Sequence, residues 1–575
     1  METAQTAEAG SAGFHALTRR QLIGTVAGLM LTLLLASLDG TIVGTAMPRI
    51  IAQLNGFERY AWVTTVYLLS STIAVPIFGK LSDIYGRKWI FLGGAVIFVA
   101  ASALCGAAGD LPLPLDGMNQ LILFRGIQGL GGGMISGIVF AVIGDIFPPA
   151  QRAKFQGLFS GVFGLSSVFG PTLGGWITDN FSWRWVFYVN LPVGIVALLV
   201  LFFFFPYFKP EGVKRSIDWA GVATLIGSLV PLLLALTWVS EYGWGATRVI
   251  AGLVIGVVVL GAFLFFESRA EEPILDLKLF KNSIFSVSAV ALFMTGMGMF
   301  GAILFIPLFM QGVIGTSATQ SGSLLTPLML TLIVGSIASG QLIGRTGRYK
   351  VQAILGLAIM TGGLLLLAGM HTDTTRGTVV RNMIVVGLGL GLTMPVYTLV
   401  VQNSVERRQI GAATAATQFF RQIGGTVGTA IFTSIMLGRF RSDFAAGVPA
   451  GTPPQVVAAF GNPLQLAQIL PQLQAQFGQT PAGAQLLQAL LGHVKESLVY
   501  AIQGSFLLGA VLMAAACVVN FFLKEVPLKK SYDEPAPEQG VAAASPEGPY
   551  ATDGAALPDG RAALAGARGG DGRTD

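Results

Sequence analysis

Residues 21–47 read QLIGTVAGLMLTLLLASLDGTIVGTAM, an apolar run with a single ionisable residue, Asp39, well inside it. A helix of about 20 apolar residues crosses a bilayer, so this run predicts a first membrane-spanning helix that is retained rather than cleaved as a signal peptide. A carboxylate at such depth is energetically expensive and is therefore a functional candidate. The alternative is a carboxylate held permanently in an ion pair with a neighbouring helix.

The composition extends this prediction to the whole chain. Of 575 residues, 53% are hydrophobic and 11% are charged, whereas soluble domains carry about 25% charged residues. The chain is therefore predicted to be an all-α polytopic membrane protein. Apolar runs between charged breaks predict about fourteen spans, near 22–47, 60–79, 89–109, 119–143, 155–178, 185–205, 217–239, 248–266, 284–308, 321–344, 351–370, 380–401, 411–437 and 497–523.

Sequence patterns typical of enzymes are missing. Cys105 and Cys517 lie in apolar runs, the histidines are scattered, and no zinc, redox or P-loop motif occurs. A GxGxxG pattern at 296–301 lies inside a helix-length apolar run with no preceding strand, so it does not predict a nucleotide site. We expect no enzymatic activity, no metal and no cofactor.

Lys and Arg are distributed unevenly between the predicted connections. With the N-terminal tail, 1–21, placed inside, most of them fall in the inner connections, as the positive-inside rule requires. This predicts a multi-pass protein of the cell (inner or plasma) membrane with both termini in the cytoplasm, and it accounts for the positive net charge without nucleic acid. The tail at 531–575 is rich in Ala, Gly, Pro and acidic residues and is predicted to be disordered.

A long outer loop is predicted at 440–496, rich in Gln, Pro and Ala. Spaced apolar residues there suggest short amphipathic helices on the bilayer or over a pore mouth, namely Leu486, Leu487, Leu490, Leu491 and Val494. A functional lid and an inert insertion are equally open interpretations.

An internal repeat divides the chain. GKLSDIYGRK at 79–88 and GQLIGRTGRYK at 340–350 both carry glycines seven apart followed by arginine, at an offset of 261 positions. The repeat predicts two six-helix bundles, 22–205 and 284–523, with two inserted helices at 217–266. Transporters built from such repeats place their site at the midplane and rock one half against the other.

The two repeats differ in their charges. The same offset pairs Asp39 with Phe300 and Arg125 with Val386, so the N-terminal bundle carries charges that its partner lacks. We therefore expect proton handling in the N-terminal bundle. The C-terminal bundle is expected to supply more of an apolar cavity wall, unless its methionines are ordinary packing residues; the candidate cavity residues are Gln128, Met294, Met297, Phe300 and Arg421.

The loop at 79–88 is a candidate gate. Its two glycines permit tight helix ends, and Asp83 can pair with Arg87 or with a basic group across the inner face, which provides a contact that forms in one state and breaks in the other. The gating candidates are Gly79, Asp83, Gly86, Arg87 and Lys88. Positive-inside anchoring alone explains the basic residues but not the acid or the glycines.

Two arginines lie within predicted spans. Arg125 is the first residue of RGIQGLGGG at 125–133, and inside a membrane it needs a carboxylate or carbonyl partner. Asp39 is the best candidate, by its residue type and by its predicted depth in the membrane. Arg421 is a second intramembrane cation, with an anionic substrate group or structural carbonyls as its possible partners.

Small residues mark the fifth span. Glycines at spacings of three, four and seven permit close helix contact, and Pro171 removes a backbone hydrogen bond and favours a kink. We expect this span to seal the two halves against proton leakage, through Gly164, Gly170, Pro171 and Gly174.

These motifs resemble those of one transporter family. The loop at 79–88 is similar to the signature loop of the major facilitator superfamily, 125–133 to its span-four motif, and GLSSVFGPTLGG at 164–175 to its antiporter motif. LDGTIV at 38–43 and WRWVF at 183–187 resemble the fourteen-span drug:proton antiporter branch.

The resemblance implies proton coupling at Asp39 with support from Arg125, gating by Asp83 and Arg87, and sealing at 170–171. Members of this branch that transport dicationic drugs often have further acidic residues in the C-terminal half. None occurs in the predicted spans there, so a monovalent lipophilic cation or a neutral amphiphile is the expected cargo.

The sequence thus favours an exporter that exchanges protons for amphipathic organic compounds, powered by the proton gradient and functional as a monomer in the lipid bilayer. A lipid, glycolipid or siderophore is the alternative cargo on the same fold. A non-transporting receptor or scaffold is the alternative of another class. Whether an envelope adaptor protein takes part is open.

Overall fold

A computed structural model describes residues 17–54, 59–147, 149–207, 216–316, 325–406, 409–448 and 481–528, and isolated positions between 452 and 480. These residues form helices and no strand. The predicted disordered tail lies outside the described residues, as does most of the N-terminal tail. A division of the chain by contacts separates 1–534 from 535–575, and only the first unit contains described residues.

Fifteen α-helices follow one another in the described chain. We number them α1 (Arg19–Leu54), α2 (Tyr60–Tyr85), α3 (Arg87–Gly106), α4 (Gly117–Ile146), α5 (Pro149–Asn180), α6 (Trp185–Tyr188), α7 (Asn190–Phe204), α8 (Trp219–Tyr242), α9 (Thr247–Glu267), α10 (Ser283–Gly312), α11 (Thr326–Thr346), α12 (Lys350–Ala368), α13 (Arg376–Ser404), α14 (Ile410–Gly447) and α15 (Pro481–Phe521). A short 3-10 helix, Leu277–Lys281, precedes α10.

The helix lengths agree with the predicted fold. Within the described residues, 13 helices are long and apolar enough to cross a membrane, with α6 and α7 forming one such stretch. The remaining predicted span, 155–178, corresponds to α5, which is 32 residues long but less apolar because it is rich in glycine, serine and threonine. The prediction of an all-α polytopic membrane protein is confirmed.

The predicted outer loop at 440–496 is wrong at both ends. Helix α14 continues to Gly447 and α15 begins at Pro481, so the chain there is helical well beyond the predicted spans. Leu487, Leu490 and Val494 are buried against the end of α14. Packing between α14 and α15 buries these apolar residues, whereas the sequence predicts short helices on the bilayer or over a pore mouth. The middle of the loop lies largely outside the described residues.

Helix contacts fall into three groups. We call α1–α7 the N-terminal half and α10–α15 the C-terminal half. Within the N-terminal half, α4 packs on α2 and α3, and α1 packs on α5 and α7. Within the C-terminal half, α13 packs on α11 and α12, and α10 packs on α14 and α15. The inserted helices α8 and α9 pack on each other, and α8 also touches α2 and α14.

The halves meet through α5 on α11 and through α14 on α2 and α4. Two glycines related by the internal repeat lie at these contacts. Gly79 of α2 lies against Ala415, and Gly340 of α11 lies against the carbonyl oxygen of Ala153; a Cβ at either glycine would overlap its neighbour. The repeat therefore places equivalent small residues at equivalent contacts between the halves.

Successive helices run in opposite directions, which gives the bundle two ends. We call the end that carries the α2–α3, α4–α5, α11–α12 and α13–α14 connections the Arg87 face. The opposite end, where α1 ends and α2 begins, is the Arg49 face.

Candidate functional site

A cavity of about 1210 Å³ lies between the two halves. Its wall includes residues of α1, α2 and α5 on one side and of α10, α13 and α14 on the other. The wall reaches Arg49 and Asp179 at the Arg49 face, and it extends to Phe140 and Gln156 in the opposite direction. A space of this size accommodates a drug-sized organic molecule.

The halves are closed on each other at the Arg87 face. The side chain of Gln402 on α13 accepts a hydrogen bond from Gln156 Nε2 at 2.8 Å and donates to the carbonyl oxygen of Phe140 at 2.9 Å. Together with the contacts of Gly79 and Gly340, these bonds join the two halves along their surface of contact, which we call the seam. The cavity is therefore open toward one end of the bundle and closed toward the other.

Asp39 lies in a fully buried polar cluster of the N-terminal half. Its carboxylate pairs with Arg125 Nη1 and accepts hydrogen bonds from Gln128 Nε2 at 2.9 Å and Asn190 Nδ2 at 3.0 Å. The donors come from α4 and α7, so this one side chain ties three helices together. All the hydrogen bonds of this carboxylate to Arg125, Gln128 and Asn190 are ones that it accepts.

Tyr67 stands between this cluster and the cavity. Its ring lies on the cavity wall, and the guanidinium carbon of Arg125 lies 4.1 Å from the ring centroid. Asp39 and Arg125 themselves do not line the cavity. The Asp39 cluster and the cavity are therefore adjacent but separate, with one aromatic side chain between them.

Sequence reasoning missed Asn190 and Tyr67 as parts of this cluster. A signal for Asn190 was present, since an amide at the start of an apolar run needs a partner just as Asp39 does. Tyr67 gave no comparable signal, because its position on the wall depends on how α2 is rotated.

The predicted gate residues form a charged cluster at the Arg87 face. Arg87 contacts Asp83 Oδ1 at 2.5 Å, Asp145 Oδ2 at 2.5 Å and Ser82 Oγ at 2.8 Å. Asp83 also lies directly against Gly411, in the first turn of α14. A carboxylate at a helix N-terminus is stabilised by the helix dipole, so Asp83 links the N-terminal half to the C-terminal half. Asp145 was not predicted.

Two other gate candidates have local roles. Gly86 has φ 95°, a left-handed conformation that permits the tight turn between α2 and α3. Lys88 donates to the carbonyl oxygen of Phe202 at 2.8 Å within the N-terminal half, so it makes no contact across the seam. Lys80 instead forms an ion pair with Glu272 at 2.7 Å, beyond the end of α9.

The predicted sealing residues of α5 divide between two neighbours. Gly164 faces Ile333 and the carbonyl oxygen of Met329 on α11, across the seam. Gly170 and Gly174 instead face Thr41 and Thr45 of α1, in their own half. The expectation that all of them lie between the halves is therefore wrong for this pair, because α5 presents glycines on two sides.

Pro171 lies on the cavity wall rather than in the seam. Gly157 does lie in the seam, where a Cβ would be 2.5 Å from the carbonyl oxygen of Ser336.

Two of the five predicted cavity residues, Phe300 and Arg421, line the cavity. Gln128 does not, because it bonds to Asp39 behind the wall. Met297 is buried where Gly428 lets α10 approach α14 closely, and Met294 packs against the core of the C-terminal half. These three predictions are therefore wrong as statements about the wall.

Membrane-spanning helices around a large cavity that is closed at one face define a membrane transporter. The chain belongs to the Major Facilitator Superfamily, whose family model matches residues 29–429. Membership of this family makes it a transporter rather than an enzyme.

Relatives match over almost their whole length. The chain is 39% identical to the multidrug transporter protein MdtP of Bacillus subtilis (strain 168), covering 91% of this chain and 97% of the relative. It is 36% identical to multidrug resistance protein 3 of the same organism, covering 88% and 95%.

Two solved structures are similar in fold. The human organic anion transporter MFSD10 gives a TM-score of 0.56 at 14% identity, covering 85% of this chain and 99% of that one. The proton:xylose symporter XylE gives a TM-score of 0.56 at 12% identity, covering 88% and 97%. At these identities the likeness concerns the fold alone.

Proposed function

We propose that this protein is a secondary active exporter that exchanges protons for amphipathic organic compounds by alternating access. The observation that carries the proposal is the buried Asp39–Arg125 pair beside a large cavity closed at one face. Drugs are the first compounds to test, since the relatives at 36% and 39% identity are named for multidrug transport and resistance.

The position of Asp39 supports a role in proton coupling. Protonation removes its negative charge and turns one carboxylate oxygen into a donor, which weakens the ion pair with Arg125 and leaves the guanidinium free to move. Arg125 stacks on Tyr67, and Tyr67 lines the cavity. Movement of this arginine on protonation would therefore be transmitted to the cavity wall.

A second connection runs from the same helix to the seam. Thr41, two residues after Asp39 on α1, donates to the carbonyl oxygen of Ser166 on α5 at 3.1 Å. Helix α5 in turn packs along α11 of the other half. A shift of α1 relative to α5 would thus change the contact of α5 with α11 between the halves, as alternating access requires.

The cluster of Asp83, Arg87 and Asp145 is proposed to hold the closed face. Its contact with Gly411 must break when the halves rock to open that face. We assign the Arg87 face to the cytoplasm on the distribution of Lys and Arg, in a cell (inner or plasma) membrane with both termini inside. The structure then corresponds to an outward-open state. The rocking bodies are proposed to be 22–205 and 284–523 within one monomer.

The test uses purified protein in liposomes with an acidic lumen. Gradient-dependent uptake of a fluorescent dye is measured for the wild type, Asp39→Asn and Asp110→Asn. Asp110 is a matched control, because it also pairs with an arginine, Arg184, but is exposed and does not line the cavity.

We expect Asp39→Asn to abolish the response to the gradient and Asp110→Asn to keep it. Dye binding and a melting curve establish that Asp39→Asn is folded. Full gradient-driven uptake by a folded Asp39→Asn protein would contradict proton coupling at this residue.

A further inference from the structure

Arg421 on α14 lies on the cavity wall without a carboxylate partner among the described residues. It donates through Nε and Nη2 to the Oε1 of Gln418, at 3.2 and 2.6 Å. A guanidinium has five N–H donors, so three of them remain for other acceptors. Both side chains line the cavity.

The other charges of the cavity wall cancel. Arg49 and Asp179 pair with each other at 3.1 Å at the Arg49 face. Asp39 and Arg125 form a second pair, which lies behind Tyr67 and off the wall. Within the described residues, the interior of the cavity therefore carries one uncompensated positive charge.

The surroundings of Arg421 suit an amphipathic ligand. Gln422, Thr426 and Thr429 continue the wall along the same face of α14. Phe300 packs over Gly425, about one helical turn from Arg421. Polar groups and an aromatic ring thus lie close to the guanidinium.

A guanidinium in a partly desolvated place repels cations. It binds carboxylates and sulfonates through two parallel N–H donors, and such charge-assisted bonds are stronger than neutral ones. Among the described residues, the wall of the C-terminal half offers no acid that would attract a cation instead.

We propose that the cavity binds amphipathic organic anions, with the anionic group on Arg421 and the apolar body on the wall around Phe300. This inference rests on the proposed exporter function and specifies its substrate class. It takes up the anionic partner considered for Arg421 and differs from the expectation of a lipophilic cation or a neutral amphiphile, which followed from the absence of acids in the predicted spans of the C-terminal half.

Two dyes on one xanthene frame test the inference. Sulforhodamine B carries two sulfonates and is anionic overall, whereas rhodamine 6G is a cation. Equilibrium binding and gradient-driven uptake of each dye are measured for the wild type, Arg421→Gln, Arg421→Lys and Arg345→Gln. Arg345 is the control, because it is an exposed arginine at the end of α11.

We expect the wild type to bind and accumulate sulforhodamine B more strongly than rhodamine 6G. Arg421→Gln should weaken sulforhodamine B binding by about tenfold or more, since a charged hydrogen-bonded contact is lost, while rhodamine 6G binding stays or improves. Arg421→Lys should keep part of the anion binding, and Arg345→Gln should change neither dye.

Preference for rhodamine 6G, or unchanged sulforhodamine B binding in Arg421→Gln, would overturn the inference and leave the exporter function intact. Binding of sulforhodamine B that depends on Arg421, with no gradient-driven uptake of either dye, would support the anion site and contradict the exporter.

Discussion

Asp39 and Arg125 form an ion pair between α1 and α4 in which neither side chain is more than 2% exposed. Taking two charges out of water is costly, and leaving one of them unpaired costs more than losing the pair. The pair therefore has a structural cost that ordinary helix packing would not require. The proposed proton exchange beside the cavity would account for that cost.

Asn190 offers a test of the cluster that leaves both charges in place. Asn190→Ala removes one donor to Asp39 Oδ1, and an unsatisfied bond to a buried charged group costs about 1–3 kcal/mol. We expect a lower melting temperature and weaker gradient-driven dye uptake. Asn180→Ala is the control, because Asn180 is exposed and bonds only within its own helix. Equal effects of the two variants would argue against a special role of the cluster.

Gly411 tests the gate. Gly411→Ala places a methyl group against Asp83 and Arg87, so it should separate α14 from the α2–α3 turn and open the Arg87 face. A cysteine at Ala415, which lies under Gly79, reports this opening through its rate of labelling by a hydrophilic maleimide.

The background for this experiment lacks both native cysteines, Cys105 and Cys517. We expect faster labelling in Gly411→Ala than in Gly362→Ala, where a Cβ meets no atom within 4 Å. Identical rates would show that Asp83 and Gly411 do not hold the face closed.

Asp116 gives a pH-dependent prediction at the Arg49 face. The backbone N–H of Asn119 and the Arg59 guanidinium hold the pKa of this carboxyl below its ordinary value. A lowered folded-state pKa stabilises the fold above the ordinary pKa of aspartate, and this contribution is lost as the pH falls through the folded value.

Asp116→Asn should keep the cap of α4 and remove this part of the acid sensitivity, whereas Asp116→Ala should also lose the cap, at about 1 kcal/mol. Melting temperatures of the three proteins across acidic pH values check this. An unchanged acid dependence in Asp116→Asn would contradict the assignment.

Voltage dependence distinguishes the substrate classes in a second way. If one proton enters as one monovalent anion leaves, two charges cross the membrane per cycle, and each charge contributes about 2.3 kcal/mol per 100 mV. Export of a monovalent cation for one proton moves no net charge. We expect uptake of sulforhodamine B into proteoliposomes to accelerate when a lumen-positive potential is imposed with valinomycin and a potassium gradient. No response to voltage would contradict the exchange of an anion for a proton.

The sequence was informative where a residue conflicted with its surroundings. Asp39 stood out as one acid in a long apolar run, and the depth of Arg125 indicated a partner; the structure places the two together. The charged loop at 79–88 likewise pointed to the cluster that now includes Asp145 and Gly411.

Features that depend on helix rotation were not predictable in this way. Met297 and Phe300 lie three residues apart on α10, yet only Phe300 lines the cavity, because Gly428 brings α14 against Met297. The ends of α14 and α15 were missed for another reason. The Gln, Pro and Ala content of 440–496 suggested a loop, but its two ends are helical and contact each other, as His493 and the carbonyl oxygen of Asp443 do.

Proton release on ligand binding tests the central claim most directly. A dye that the wild type transports is added to purified protein in weakly buffered detergent solution, and the pH change is recorded for the wild type and for Asp39→Asn at equal dye occupancy. We predict proton release from the wild type and none from Asp39→Asn. Equal release from both proteins would show that Asp39 does not carry the exchanged proton.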